Sequence, residues 1–258
     1  MRLPVLSLQW SKILDSRTDR VPEVSYQAPA GPMRGYLSIP AGAGPWPAVV
    51  VVMDVFGVSR DLRQQCDRLA GHGYLALAPD LYSWGSVITC IRATFAALRS
   101  GTGRAFEDID AARGWLANRT DCTDQVGVIG FCMGGGFALL AAPRYDFAVA
   151  SVNYGQVPKD AAAVLAGSCP MVASFGGRDI TLRGHSRRLE GALLRLEVAH
   201  DVKEYPSARH GFMNHHGGPL GPMMRVLGVG YDAEAAEDSW RRILDFFGQH
   251  MRRAATDS

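Results

Sequence analysis

The sequence lacks any apolar run approaching the roughly 20 residues needed to cross a bilayer, so no membrane-spanning segment is expected. Cysteine is sparse: Cys66, Cys90, Cys122, Cys132 and Cys169 are the only five in 258 residues. An odd number, widely spaced and without a CxxC pair, excludes a disulfide framework and a zinc ribbon, and fits a reducing cytoplasm. Charge of one sign is lacking too, since 27 basic and 25 acidic residues leave a net +2. No basic cluster is interleaved with aromatics, so neither a nucleic-acid partner nor an anionic-membrane partner is expected. The first 14 residues hold only a short apolar stretch and no small-residue cleavage pattern, which argues against a signal peptide. There is no internal repeat. The adjacent pair His215 and His216 has no acidic partner at ligand spacing, so no metal site and no cofactor are expected.

What is present is a hydrophobic content of 47%, enough for a large core. Strands are expected over residues 21–27 and 34–39, antiparallel at an edge and joined by a turn. A continuous β-branched run over 48–53 reads as a strand covered on both faces, and 74–78 is expected to be the next strand. Further strands are expected over 125–130, 148–154, 171–175 and 202–205. Helices are expected over 62–71, 133–142, 182–196 and 234–249. A segment of helical composition breaks at Gly101-Thr102-Gly103, and an amphipathic helix then carries Phe106, Ile109, Ala112, Trp115 and Leu116. Strands alternating with helices predict an α/β fold with a mostly parallel, doubly wound central sheet and helices on both faces. One domain over 21–250 is expected, between a flexible leader (1–20) and a tail (251–258). The glycine-rich stretch 213–231 reads as a mobile flap.

The stretch Gly130-Phe131-Cys132-Met133-Gly134 has the form of a nucleophile elbow with cysteine in place of serine. A buried strand must turn at once into a helix there, which strains the pivot and needs glycine on either side. The pivot projects above the carboxyl edge of the sheet, where open α/β sheets bind ligands, and a helix N-terminus favours a thiolate. Two further strand ends follow, Gly177-Arg178-Asp179 and Arg209-His210-Gly211-Phe212. Nucleophile, acid, histidine is the chain order of elbow enzymes, which makes Cys132, Asp179 and His210 the candidate catalytic residues. Taken singly, Asp179 reads equally as a helix cap, and His210 as a hydrogen-bonded core histidine.

Together with Met53-Asp54-Val55-Phe56-Gly57 and Ala78-Pro79-Asp80-Leu81-Tyr82, these motifs make the chain resemble the dienelactone hydrolases, a branch of the α/β-hydrolase fold, from Val24 to Phe247. The resemblance implies a lactone or carboxylic ester substrate, Cys132 as nucleophile, His210 as base, Asp179 as its orienter, and an oxyanion hole from the N–H groups of Val55 and Met133. The Met133 donor also follows from the elbow itself. Lactone-cleaving members carry a glutamate where this chain has Asp54, and hold a substrate carboxylate with two arginines where it has Trp84 and Asn214. Each lost charge-assisted hydrogen bond forfeits about 1.5–3 kcal/mol, and about 1.4 kcal/mol is tenfold in binding. Unless Arg209, Arg92 or Arg60 substitutes, an anionic dienelactone binds poorly, and Trp84 near Tyr82 offers an aromatic wall to a different substrate. A monomer or homodimer is expected. Two other readings are a non-catalytic small-molecule receptor that keeps the pocket, and a thiol redox sensor with Cys169 or Cys90 approaching Cys132.

Overall fold

The structure, a computed structural model, describes residues 23–215 and 229–251. At one edge β1 (Glu23–Ala28) and β2 (Gly31–Ser38) form an antiparallel hairpin. Its turn is tighter than the sequence suggests, because Gly31, at φ +126°, already pairs with Ala28. The chain continues through β3 (Trp46–Val52), α1 (Arg60–Gly71), β4 (Leu75–Pro79), α2 (Val87–Ser100), α3 (Arg104–Ala117), β5 (Cys122–Phe131) and α4 (Met133–Ala141). It ends with β6 (Ala150–Asn153), a single turn α5 (Ala161–Val164), β7 (Met171–Gly176), α6 (His185–Arg195), β8 (His200–Tyr205) and α7 (Ala233–His250). These eight strands form one sheet in the order β1-β2-β4-β3-β5-β6-β7-β8. Only the contacts of β2 are antiparallel, so β3 to β8 all run the same way.

Burial explains the composition of the central strands. Val49, Val50, Val51 and Val52 are each 0% exposed, and each such side chain contributes about 1.5–3 kcal/mol relative to exposure. β5 lies next to β3, with Val51 opposite Ile129 and Val52 opposite Gly130. Behind it α4 is buried along its whole length, which is why it reads as apolar all round rather than amphipathic. On the outer layer, α7 buries Trp240, Ile243, Phe246 and Phe247 together with the small residues Ala235, Ala236 and Ser239, and Asp232 caps its start by accepting from the Ala235 N–H at 3.2 Å.

Two expectations shift. The helix expected over 182–196 begins only at His185, after a 3₁₀ turn, Ile180–Leu182, capped by Asp179. The strand expected over 148–154 is ladder only from Ala150 to Asn153, because Tyr154 turns to φ +41° and leaves the sheet. α5 has no counterpart in the sequence reading, four residues being too few to show a period. The expected leader, most of the expected flap and residues 252–258 lie outside the described residues, whereas Met213, Asn214 and Met251 are buried.

Candidate active site

A parallel sheet brings the ends of β3, β5, β6, β7 and β8 to one edge, and the chain places Asp54, Cys132, Tyr154, Asp179 and His210 just beyond them. Cys132 sits between β5 and α4 at φ +55°, ψ −114°, a conformation L-residues adopt only when the surroundings over-determine it. Its N–H donates to the Asn153 carbonyl at 3.0 Å, and its own carbonyl accepts from Gly136 at 3.2 Å. The flanking glycines are required sterically. A Cβ at Gly130 would lie 1.9 Å from the Gly134 carbonyl oxygen, and one at Gly134 would lie 2.2 Å from that of Val52.

His210 Nε2 is 3.0 Å from Cys132 Sγ, and His210 Nδ1 is 2.5 Å from Asp179 Oδ2. Asp179 serves two partners, since its other oxygen caps the 3₁₀ turn by accepting from the Thr181 N–H (3.0 Å) and hydroxyl (2.6 Å). The cap and the orienter are thus one residue. Burial pushes the Asp179 carboxyl up, but the hydrogen bonds from His210 and Thr181 outweigh it and leave it below the ordinary value. Burial likewise disfavours a charged His210, yet its bonds to Asp179 and then Cys132 raise the imidazole from 6.5 to about 10. The ring is held from the side by Tyr154, edge-on with centroids 5.4 Å apart. Its backbone is held by the Gly230 N–H, which donates to the His210 carbonyl at 3.1 Å.

The turn after β3 is clamped on two sides. Asp54 Oδ1 accepts from the Phe56 N–H at 2.8 Å, and the Tyr82 hydroxyl donates to the Val55 carbonyl at 3.3 Å. Val55 is therefore fixed in orientation, while Met133 is the first residue of α4. Asp54 is 5% exposed. Burial pushes its carboxyl from 3.8 up to about 7, against the Phe56 hydrogen bond and with help from nearby Asp61.

The remaining sequence candidates take other places. Asn214 is buried and engaged at both ends: its amide oxygen accepts from the Tyr154 hydroxyl, and its amide nitrogen donates to Asp61 Oδ2 at 2.6 Å. Asp61 Oδ1 accepts from the His215 N–H at 2.8 Å, and Gln65 Nε2 donates to the Met213 carbonyl at 3.1 Å. Side chains of α1 thus strap down the segment that follows His210. Trp84 carries the Arg104 guanidinium on its ring at 4.7 Å, and Arg104 in turn pairs with buried Asp108 at 3.3 Å, so a cation already covers one face of the expected aromatic wall. Arg60, Arg92 and Arg209 are exposed. His215 stacks on Tyr231 with centroids 3.6 Å apart, and no metal-ligating cluster occurs among the described residues. All five cysteines are free, and no helix among the described residues is long and apolar enough to cross a membrane.

Sequence reasoning missed Tyr154, Asp61 and Gln65. Tyr154 sits at a strand's carboxyl end and was findable by position; Asp61 and Gln65 read as ordinary residues of a helix, and only the fold brings them to residues 213–215.

A mostly parallel sheet with a sharp strand-to-helix pivot at β5, and an acid and a histidine at later strand ends, is the α/β-hydrolase fold. Within that fold the chain belongs to the dienelactone hydrolase family, whose model matches residues 33–251, and it is accordingly a carboxylic ester and lactone hydrolase of that family. A protein of Escherichia coli strain K12, provisionally named carboxymethylenebutenolidase, is 30% identical over 80% of this chain and 78% of its own. A provisionally named dienelactone hydrolase from Klebsiella pneumoniae superposes with a TM-score of 0.71 at 28% identity, covering 88% of this chain and 97% of that one. The dienelactone hydrolase of Anabaena variabilis shares the fold, with a TM-score of 0.68 at 21% identity over 90% and 99% of the two chains.

Proposed function

We propose that this protein hydrolyses a neutral carboxylic ester or lactone through a thioester on Cys132. The observation that carries the proposal is the unbroken line of contacts from Sγ through the imidazole to Asp179, at 3.0 and 2.5 Å. Such an array moves a proton off sulfur onto Nε2, while the Asp179 carboxylate stabilises the imidazolium and fixes the ring. The sulfur attacks the carbonyl carbon, a C–S bond forms, and the carbonyl electron pair moves to oxygen. Backbone N–H groups of Val55 and Met133 receive that oxyanion. Collapse breaks the C–O bond, and the leaving alkoxide takes the Nε2 proton. Water then gives a proton to His210, adds to the thioester, and expels sulfur with release of the acid.

The preference for a neutral substrate rests on charge. The amide of Asn214 is committed to Tyr154 and Asp61, and Asp61 is a buried carboxyl group beside it. A carboxylated lactone would bring its negative group without the arginine pair that other members provide, at a cost of about 1.5–3 kcal/mol for each missing charged hydrogen bond. A panel of neutral aryl esters against a carboxylated lactone tests the substrate: kcat/KM should favour the neutral esters tenfold or more. Replacing Cys132 with alanine should abolish turnover without altering the fold, and an activated ester should leave an acyl mass on Cys132. Undiminished activity in that variant would discard the mechanism, whereas preference for the lactone would discard only the substrate class.

A further inference from the structure

A cavity of about 500 Å³ opens between α5, with the loop before it, and the outer face of α6. None of its lining residues belongs to the hydrolytic centre. Its floor is small and apolar, formed by the alanines of α5 with Gly191 and Ala192; its rim is basic, formed by Lys159, Arg187, Arg188 and Arg195, with Asp160 the one acidic residue among them. We infer that this cleft binds a small organic anion, a phosphate or carboxylate joined to a flat apolar body.

Three features carry the inference. Several basic side chains elsewhere are spoken for: Arg68, Arg113, Arg119 and Arg242 each meet a carboxylate at 2.7–2.8 Å. Among the described residues Lys159, Arg187, Arg188 and Arg195 form no ion pair, so a concentration of positive charge faces an open cleft. Arg188 is held in place, since its Nη1 donates to the Val157 carbonyl at 3.0 Å, and a guanidinium has further N–H groups to offer an anion. Gly191 is the third feature. Glycine is a poor residue for a helix interior, and packing does not demand it here, because a Cβ at 191 would meet nothing within 4 Å. What its missing side chain provides is room over the alanine floor. The volume falls in the range of small-molecule sites.

The test uses the full chain carrying Cys132→Ala, so that the hydrolytic centre cannot consume a probe. Isothermal titration with 1-naphthyl phosphate, inorganic phosphate and 1-naphthol separates the two halves of the ligand. The phosphate ester should bind at one site, about tenfold or more tighter than either fragment, and weaken as salt rises, because exposed charges are screened. Gly191→Phe fills the cleft, and Arg187→Ala with Arg195→Ala strips its rim; each should weaken binding about tenfold or more with an unchanged circular dichroism spectrum. In the wild-type background Gly191→Phe should leave hydrolysis of a neutral ester intact, which sets this site apart from the catalytic one. Absence of saturable binding at millimolar probe, binding untouched by both variants, or equal binding of 1-naphthol would each overturn the inference.

Discussion

Replacing Asp54 with asparagine should stabilise the protein, and by an amount that grows with pH. The amide would keep the size of the side chain and the oxygen that accepts from the Phe56 N–H at 2.8 Å, so the main change is loss of a titratable charge in a site 5% exposed. In the folded chain this carboxyl titrates at about 7, against 3.8 for its ordinary value. Between those limits the native state holds the proton that the unfolded chain has released, so the unfolded state binds fewer protons and stability falls as pH rises. The favourable contribution of the protonated form is complete below 3.8 and gone above 7. At 1.36 kcal/mol per pH unit, the aspartate costs the wild type about 2–3 kcal/mol more at pH 8 than at pH 5. Urea unfolding of both proteins at several pH values between these two measures the difference directly. Wild type and variant should diverge steadily with pH, the variant being the more stable. Parallel stability curves across that range would refute the reasoning, because they would mean that Asp54 ionises in the folded chain as it does in water.

Other outcomes follow from the same geometry. Tyr82→Phe removes the hydroxyl that holds the Val55 carbonyl; a neutral hydrogen bond of about 0.5–1.5 kcal/mol should appear as a two- to tenfold fall in kcat with KM little changed, and a fall in substrate affinity alone would contradict a role in shaping the oxyanion site. Asp61→Ala leaves the buried Asn214 amide without its acceptor, at about 1–3 kcal/mol, and frees the His215 N–H at the surface. Its urea midpoint should drop accordingly and its turnover should fall with it, while Asp61→Asn should recover part of both; a loss of stability below about 0.5 kcal/mol, the ordinary range for surface changes, would show that the strap carries little.

Much of the scaffold was legible from local pattern. The β-branched run of β3, the apolar approach to Cys132 and the spacing of Phe106, Ile109, Ala112 and Leu116 report burial on both faces or on one, and these residues are buried, whereas Trp115, expected on the same face, is only partly so. The order of Cys132, Asp179 and His210 was also legible, because parallel strands deliver their ends to one edge whatever lies between them. Where pattern failed, it did so for stated reasons. A 3₁₀ turn and α5 are too short to show a period, and the end of β6 depends on a single φ reversal at Tyr154. Asn214 looked like a site for substrate because nothing within its own segment shows that Tyr154 and Asp61 already occupy its amide.

By itself the sequence determined the longer elements, the glycine-flanked pivot and that Cys132, Asp179 and His210 would reach the carboxyl edge of the sheet, since each of these depends on neighbours a few residues away. The tertiary structure alone decided how those groups face one another. The Asp179 carboxylate divides between cap and imidazole, α1 restrains the residues after His210, Arg104 covers Trp84, and unpaired arginines of α6 surround a cleft. Such contacts join residues up to 154 positions apart, and their distances and charges follow from packing, to which local periodicity is blind.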